Sequence, residues 1–344
     1  MINRFLLDYD NPDAGIGHSM GIINRALKIA NRNQLQLVYS ESQLIKSNRS
    51  SMHWNMKQWM RRLRGKKAYE THNIGNDLNL MLNIGQLLPR REDIEKRINQ
   101  HQIKLLELPR LQIDIPTNIQ NDDEAYREID AFIKSHPESN IAFKVSPNLS
   151  GDYEYAATKD WFMNAYIKAR ELHPIALTFN PNQFNIAVHV RRGDLLPGRQ
   201  YSDLSNRMLP DAWYLKILDA VTHLPSKEVA IHIFSEGKDG CYLSEHGNPF
   251  SWKDHFRDRP YSIIEHIDSE FLSTFHHLLH ADVLIGSKSG MSHLAGMLST
   301  RIKIMPTMWH SYRGANQLLE VSGLESELNQ EAITKHIQNY LSLA

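Results

Sequence analysis

Ala281-Asp282-Val283-Leu284-Ile285-Gly286-Ser287-Lys288-Ser289-Gly290-Met291-Ser292-His293-Leu294-Ala295 is the stretch on which the fold turns. Its apolar run is short and uninterrupted, a turn of small and hydroxyl residues comes next, and Leu294, Ala295 and Leu298 then recur at helical spacing. That order reads as a buried strand over 283–286, a tight loop, and a helix over 291–298. A strand with no polar alternation is buried on both faces, as strands of parallel sheets are. Outward from this unit the same grammar repeats. Strands are expected over 186–190, 229–234 and 302–305, and helices over 211–222 and 268–280. Regular alternation of this kind predicts a parallel, doubly wound sheet.

Upstream, His173-Pro174-Ile175-Ala176-Leu177-Thr178-Phe179-Asn180-Pro181-Asn182-Gln183-Phe184-Asn185 carries two prolines and three asparagines and marks a break between structural units. Domains are therefore expected at 1–175 and 176–344. The first opens as a βαβ unit: a strand over 4–8, a loop over 11–17, a helix carrying Met20, Ile23, Leu27 and Ala30, and a strand over 35–39. It then becomes irregular, with a basic aromatic run over 53–67, a polar stretch over 73–99, strand-like pieces at 103–106, 111–115 and 140–145, and a helix over 155–173.

The chain has 344 residues, 41% hydrophobic and 23% charged, which is the composition of a globular protein with material for a core and excludes general disorder. Lysine plus arginine, 39, cancels aspartate plus glutamate, 39, so nothing global calls for a nucleic acid, and any charge-based function is local. A single cysteine, Cys241, makes no internal disulfide and fits a reducing compartment. The opening MINRFLLDYDNPDAGIG lacks the order of a signal peptide, and no stretch approaches the ~20 apolar residues of a membrane span. The expected location is cytoplasmic, at the inner face of a bacterial membrane if the run 53–67 engages lipid heads or a polyanionic acceptor. The competing reading of that run is a solvated helix face with its tryptophans packed inward.

In a doubly wound sheet ligands sit beyond the carboxyl ends of the strands, so the loops after strands carry the chemistry. His189-Val190-Arg191-Arg192-Gly193-Asp194 delivers two guanidiniums as a strand ends. Arginines stay charged and match phosphate oxygens with planar, multidentate donors. Ser287, Ser289, Gly290 and Ser292 occupy a strand-to-helix loop whose free amides and hydroxyls form an anion seat. Two phosphate-friendly loops on one sheet edge suggest a diphosphate. Ser235 and Glu236, at another strand end, are suited to hydrogen-bond a sugar or a base. In the first domain Gly15, Gly17 and His18 open a helix. A dinucleotide fingerprint fails there, because residues 8–14 separate the strand from the glycines and Met20 stands at the third glycine position. His276 and His280 lack the glutamate of an HExxH zinc site, and Lys288 stands where a nucleophile elbow needs serine.

HVRRGD, IFSEG and ADVLIGSKSGMSHLAGML together resemble the three short motifs of the α1,2/α1,6/O-fucosyltransferase superfamily, and GIGHSMGIINRALKIA resembles that group's N-terminal glycine loop and helix. The resemblance implies an α/β fold of GT-B type, two Rossmann-like domains facing across a cleft, with GDP-fucose bound mainly by the second and the acceptor served by the first. It implies donor contacts from His189 and Arg191, with Arg192 beside them, and from Ser289, Gly290 and Ser292. Leu195 and Arg199 stand where the α1,6 enzymes carry a lysine and a glutamate base. The acid that reads guanine in those enzymes falls near Thr274, leaving Asp268 or Glu270 to substitute.

The expected activity is an inverting, metal-independent transfer of L-fucose to a glycan or glycolipid hydroxyl. Arg191 and the helix start at Ser289 would stabilise the charge growing on the β-phosphate. Asp122-Asp123 and Asp211 lack the form of a paired-aspartate DxD signature, and no cofactor or metal is called for. Asp194, His18 and Asp13 are the candidate bases. Two alternatives stand beside this reading: transfer of another nucleotide-diphosphate sugar, and noncatalytic binding of a nucleotide sugar or glycan.

Overall fold

The computed structural model describes residues 3–7, 16–39, 74–109, 122–145, 151–199 and 202–342. The chain divides into two compact units, Met1–Pro174 and Ile175–Ala344. Each is built on a parallel sheet, so the Rossmann-like, two-unit α/β class expected from the sequence is the class observed.

In the first unit the main elements are β1 (Arg4–Leu7), α1 (Ile16–Asn33), β2 (Gln36–Val38), α2 (Ile74–Leu82), α3 (Arg91–Asn99), β3 (Lys104–Glu107), α4 (Arg127–Lys134), β4 (Ile141–Lys144) and α5 (Lys159–Leu172). The sheet order is β2-β1-β4-β3, all neighbours parallel. Phe5, Leu7, Val38 and Ala142 form a core with Ile94 and Ile103. Helix α1 begins at Ile16, so Ile16 and Gly17 are helical where a loop was expected. The polar stretch 73–99 contains α2, which buries Leu78, Met81 and Leu82, and α3, of which only Ile94 is buried. The expected strand at 111–115 and the run 53–67 lie outside the described residues.

Helix α1 buries charge as well as apolar surface. Lys28 Nζ lies 3.0 Å from Asp152 and 2.8 Å from Glu154, with all three side chains enclosed. Asn24 donates to the carbonyls of Asp152 and Glu154, and Tyr126 donates to the Asp152 carboxylate at 2.6 Å. Buried charges persist only when paired and hydrogen-bonded, so this network pins segment 151–158 against α1.

The second unit runs β5 (Phe184–Val190), α6 (Asp211–Val221), β6 (Val229–Ser235), β7 (Tyr261–Ile267), α7 (Phe271–His280), β8 (Val283–Ile285), α8 (Gly290–Leu298), β9 (Ile302–Pro306), β10 (Leu318–Val321) and α9 (Gln330–Leu341). Its sheet order is β10-β9-β8-β5-β6-β7, again all parallel. Every residue of β5 and β6 is buried, which is why both read as largely apolar runs with no polar alternation. Three elements, β7, β10 and α9, are absent from the pattern expected above. The two strands are sheet edges with mixed burial, and α9 buries only Ile333 and Ile337. From β5 the chain builds outward through β6 to β7, then returns to the other side of β5 for β8, β9 and β10. The order therefore reverses between β5 and β8, and the crevice beyond their carboxyl ends is the topological switch point where open α/β sheets bind ligands.

Candidate functional site

The two loops at this switch point are the HVRRGD and GSKSG segments. Strand β5 pairs with β8 in parallel register, Val188 opposite Ile285, so both strands exit side by side. His189 closes the distance. Its Nδ1 lies 2.5 Å from Ser292 Oγ and 2.9 Å from Ser287 Oγ, and the Ser287 amide donates to Ser292 Oγ at 3.2 Å. Burial, reinforced by the charge of Arg191, pushes the His189 imidazole down to about 3, so it is neutral at physiological pH. Ser287 and Ser292, expected as ligand contacts, are enclosed and turned onto His189 instead.

The alternation of β5 divides its side chains, and those of the residues just beyond it, between two faces. Ile186, Val188 and Val190 face the main core with Trp213, Tyr214 and Tyr242, while His189 faces the α8 side. Arg192 goes with the core face, and this corrects its expected place beside Arg191 on a ligand. Its side chain is 0% exposed; it donates to Asp211 at 2.5 Å and to the carbonyls of Leu209 and Arg191 at 3.0 Å, and it lies over the Tyr242 ring. Asp211, whose carboxyl burial pushes up to about 6 against the pull of Arg192, also accepts the Tyr242 hydroxyl, and its amide donates to Glu245. No sequence motif singles these partners out. Arg192 is an internal strut that fixes the backbone from which Arg191 projects.

Arg191 stays partly exposed, at 24% of its side chain, with Asp194 as a loose partner at 3.4 Å. A partly exposed pair at that distance is weak and open to competition by a better anion. Glu236, beyond the end of β6, is exposed as a residue, yet its carboxyl crosses Gly193 so closely that a Cβ there would collide with it. Gly193 has φ +43°, a left-handed backbone that favours glycine, while the Glu236 carboxyl, at the end of a flexible side chain, could swing aside. Desolvation, then the negative charge of Asp194, raises the Glu236 carboxyl above its ordinary range. Ser235 donates to the Glu236 carbonyl, and Asp268, from the end of β7, accepts the Gly237 amide at 2.8 Å. Ser289 caps α8, accepting the Met291 amide at 3.3 Å, and Gly290 opens the helix with partial exposure. An anion at this helix start would meet free amides and the positive end of the macrodipole. His189, Arg191, Ser289 and Gly290 thus gather around the switch point, with Asp194 and Glu236 beside Arg191. Among the described residues no group of three or more His, Cys, Asp and Glu side chains is arranged to hold a metal ion.

In the first unit the strand order reverses between β1 and β4. The loops after those strands, with Asp13 and Gly15, lie outside the described residues. The flanking segments are described and meet. His18, in the first turn of α1, has Nδ1 2.9 Å from the Tyr153 hydroxyl. Desolvation, then the charge of Arg25, lowers its pKa. Tyr153 lies in a slot over α1 that exists because position 21 is glycine: a Cβ there would stand 2.5 Å from the ring. Gly17 shares the first turn with His18.

No family model matches this chain, and no curated protein matches it. Among solved structures, POFUT1 in complex with GDP-fucose aligns with 88% of this chain and 97% of its own at 12% identity and TM-score 0.48. E. coli heptosyltransferase WaaC with ADP aligns with 98% of this chain and 99% of its own at 14% identity and TM-score 0.42. A mutant of Arabidopsis thaliana FUT1 in complex with GDP covers 90% of this chain and 72% of its own at 11% identity and TM-score 0.42. At such distances the chemistry has to be argued from this chain's own residues. No helix among the described residues is long and apolar enough to cross a membrane.

Proposed function

We propose that the protein is a glycosyltransferase whose second unit holds a nucleotide-diphosphate sugar in the crevice between β5 and β8, and that the donor is GDP-fucose. The observation that carries this reading is the bonding of His189, at the end of β5, to Ser287 and Ser292 of the loop after β8. It brings the two motif segments to one crevice with Arg191 two residues on. Arg191 and the amides at Ser289–Gly290 supply positive character where a diphosphate would sit, and Asp194 yields the guanidinium to it. Glu236, Ser235 and Asp268 offer acceptors for sugar or base hydrogens. GDP-fucose as the particular donor rests on the motif resemblance.

In the reaction an acceptor hydroxyl attacks the anomeric carbon with inversion, the C1–O bond to the diphosphate breaks, and its electron pair leaves on the β-phosphate. In this reading Arg191, once released from Asp194, and the start of α8 meet that growing charge; a well-aimed donor of this kind contributes about 3 kcal/mol. On the same reading these groups carry the neutralising charge without a divalent metal or a cofactor. The glycan acceptor is assigned to the first unit, and Asp194, His18 and Asp13 remain the candidate bases for its hydroxyl. A thermal-shift panel of GDP, UDP and ADP, followed by GDP-fucose turnover, tests the reading. Stabilisation by GDP that Arg191→Ala removes supports it. Preference for another nucleotide moves the donor assignment, and no response to any of the three overturns the donor site.

A further inference from the structure

The hydrogens around His189 can be counted. Ser292 Oγ accepts the Ser287 amide, and the three polar atoms His189 Nδ1, Ser287 Oγ and Ser292 Oγ lie within 2.5, 2.9 and 3.2 Å of one another. Both serines are buried, and among the described residues neither makes a further side-chain bond. If Nδ1 carried the imidazole proton, three hydrogens would share two oxygens, and one buried hydroxyl would have no acceptor. If Nδ1 is bare, each hydroxyl donates within the cluster and every hydrogen is placed. Buried donors left unmatched are costly, so the second arrangement wins. Burial beside Arg191, which keeps the ring neutral, agrees with it.

We infer that Ser287 and Ser292 are positioning residues that lock His189 as the Nε2–H tautomer, making it a fixed neutral hydrogen-bond donor to an acceptor oxygen or nitrogen of the bound nucleotide diphosphate. Nε2 lies on the ring edge away from the serines, bonds to no group among the described residues and is not sealed from solvent. A locked donor costs no reorganisation when ligand arrives. The same tautomer has no free lone pair toward the ligand, so His189 does not take the acceptor's proton. The tautomer is dictated by the cluster alone; its use toward a nucleotide rests on the donor-site reading above.

The test uses the full chain labelled with ¹⁵N-histidine, at pH 7 without ligand, with the His189 signals assigned by their loss in His189→Gln. Nδ1 is expected as an unprotonated, pyridine-type nitrogen and Nε2 as a protonated one. Ser292→Thr, which keeps the hydroxyl, preserves that pattern, whereas Ser287→Ala/Ser292→Ala gives a mixture of tautomers. GDP titration adds the second reading. His189→Gln, whose amide reaches the Nε2 position, stays within about tenfold of wild type, and His189→Asn, whose amide stops at Nδ1, loses about tenfold more. A proton on Nδ1 in the wild-type protein overturns the inference whether or not the variants fold. Equal loss in the Gln and Asn variants overturns the donor role. Absence of GDP binding by the wild type instead overturns the donor site and leaves the tautomer measurement standing by itself.

Discussion

Replacing Arg192 with methionine separates a strut from a ligand contact. The guanidinium makes its bonds inside the protein, to Asp211, Leu209 and Arg191, with none of its side chain exposed. Methionine keeps most of the stem and removes the charge. Asp211 is then left buried with the Tyr242 hydroxyl and no cation. Removing one member of a buried pair costs about 3–5 kcal/mol, a large share of a total that is commonly about 5–15 kcal/mol. Urea unfolding followed by circular dichroism should therefore place Arg192→Met about 3 kcal/mol or more below wild type. Adding Asp211→Asn should recover part of that loss, with a coupling of about 1–3 kcal/mol in the double-mutant cycle. Arg191→Met is the counterpart: its pair with Asp194 is long and partly exposed, so its stability should stay within about 1 kcal/mol while GDP binding falls. An Arg192→Met protein that unfolds at the wild-type urea concentration but no longer binds GDP would refute the assignment of the two arginines.

Arg191→Ala should weaken GDP-fucose binding by about 10- to 100-fold in calorimetry, the worth of a charge-assisted contact, with the melting temperature nearly unchanged. Gly21→Ala, which in an ordinary helix interior stabilises by about 1 kcal/mol, should instead destabilise by about 1–3 kcal/mol, because the new methyl meets Tyr153; a raised melting temperature would remove the slot argument. Burial holds His189 and His232 at about 3 and His266 at about 4, with the charge of Arg191 acting further on His189 and those of neighbouring histidines on the other two. The unfolded chain, titrating near 6.5, takes up protons first, so the stability these neutral rings contribute is complete above pH 6.5 and drains away as pH falls toward 4. The urea midpoint should drop steadily over that window, and a midpoint flat from pH 7 to 4.5 would contradict neutral burial.

Burial on both faces of a strand is what makes most of the second sheet legible in the sequence. β5, β6, β8 and β9 stand out as apolar runs, and the loops behind β5 and β8 mark the site without any knowledge that they meet. The edge strands β7 and β10 do not stand out, because one open face lets residues such as Glu265 and Glu320 interrupt the run. The true place of Arg192 is also written in the sequence. Ile186, Val188 and Val190 share one parity along β5, and carrying that period of two past the strand end sends Arg192 to the core and leaves Arg191 with His189. The acids and aromatic ring around Arg192, from Asp211, Glu245 and Tyr242, lie 19 to 53 positions further along the chain, and no spacing rule connects them to it. The Lys28–Asp152–Glu154 network is hidden for the same reason, since charged residues in a sequence read first as surface. Gly21 does leave a trace: a glycine inside a helical pattern argues for a close neighbour, which here is Tyr153.

A crystal structure of the full chain with GDP tests the central claim most directly. The account predicts the diphosphate in the crevice between the ends of β5 and β8, with oxygens at hydrogen-bond distance, about 3 Å, from the Arg191 guanidinium and the amides at the start of α8. The His189 Nε2–H should be turned toward the nucleotide, and Arg192 should remain on Asp211. A diphosphate bound elsewhere on the chain, with Arg191 still paired to Asp194, would contradict it.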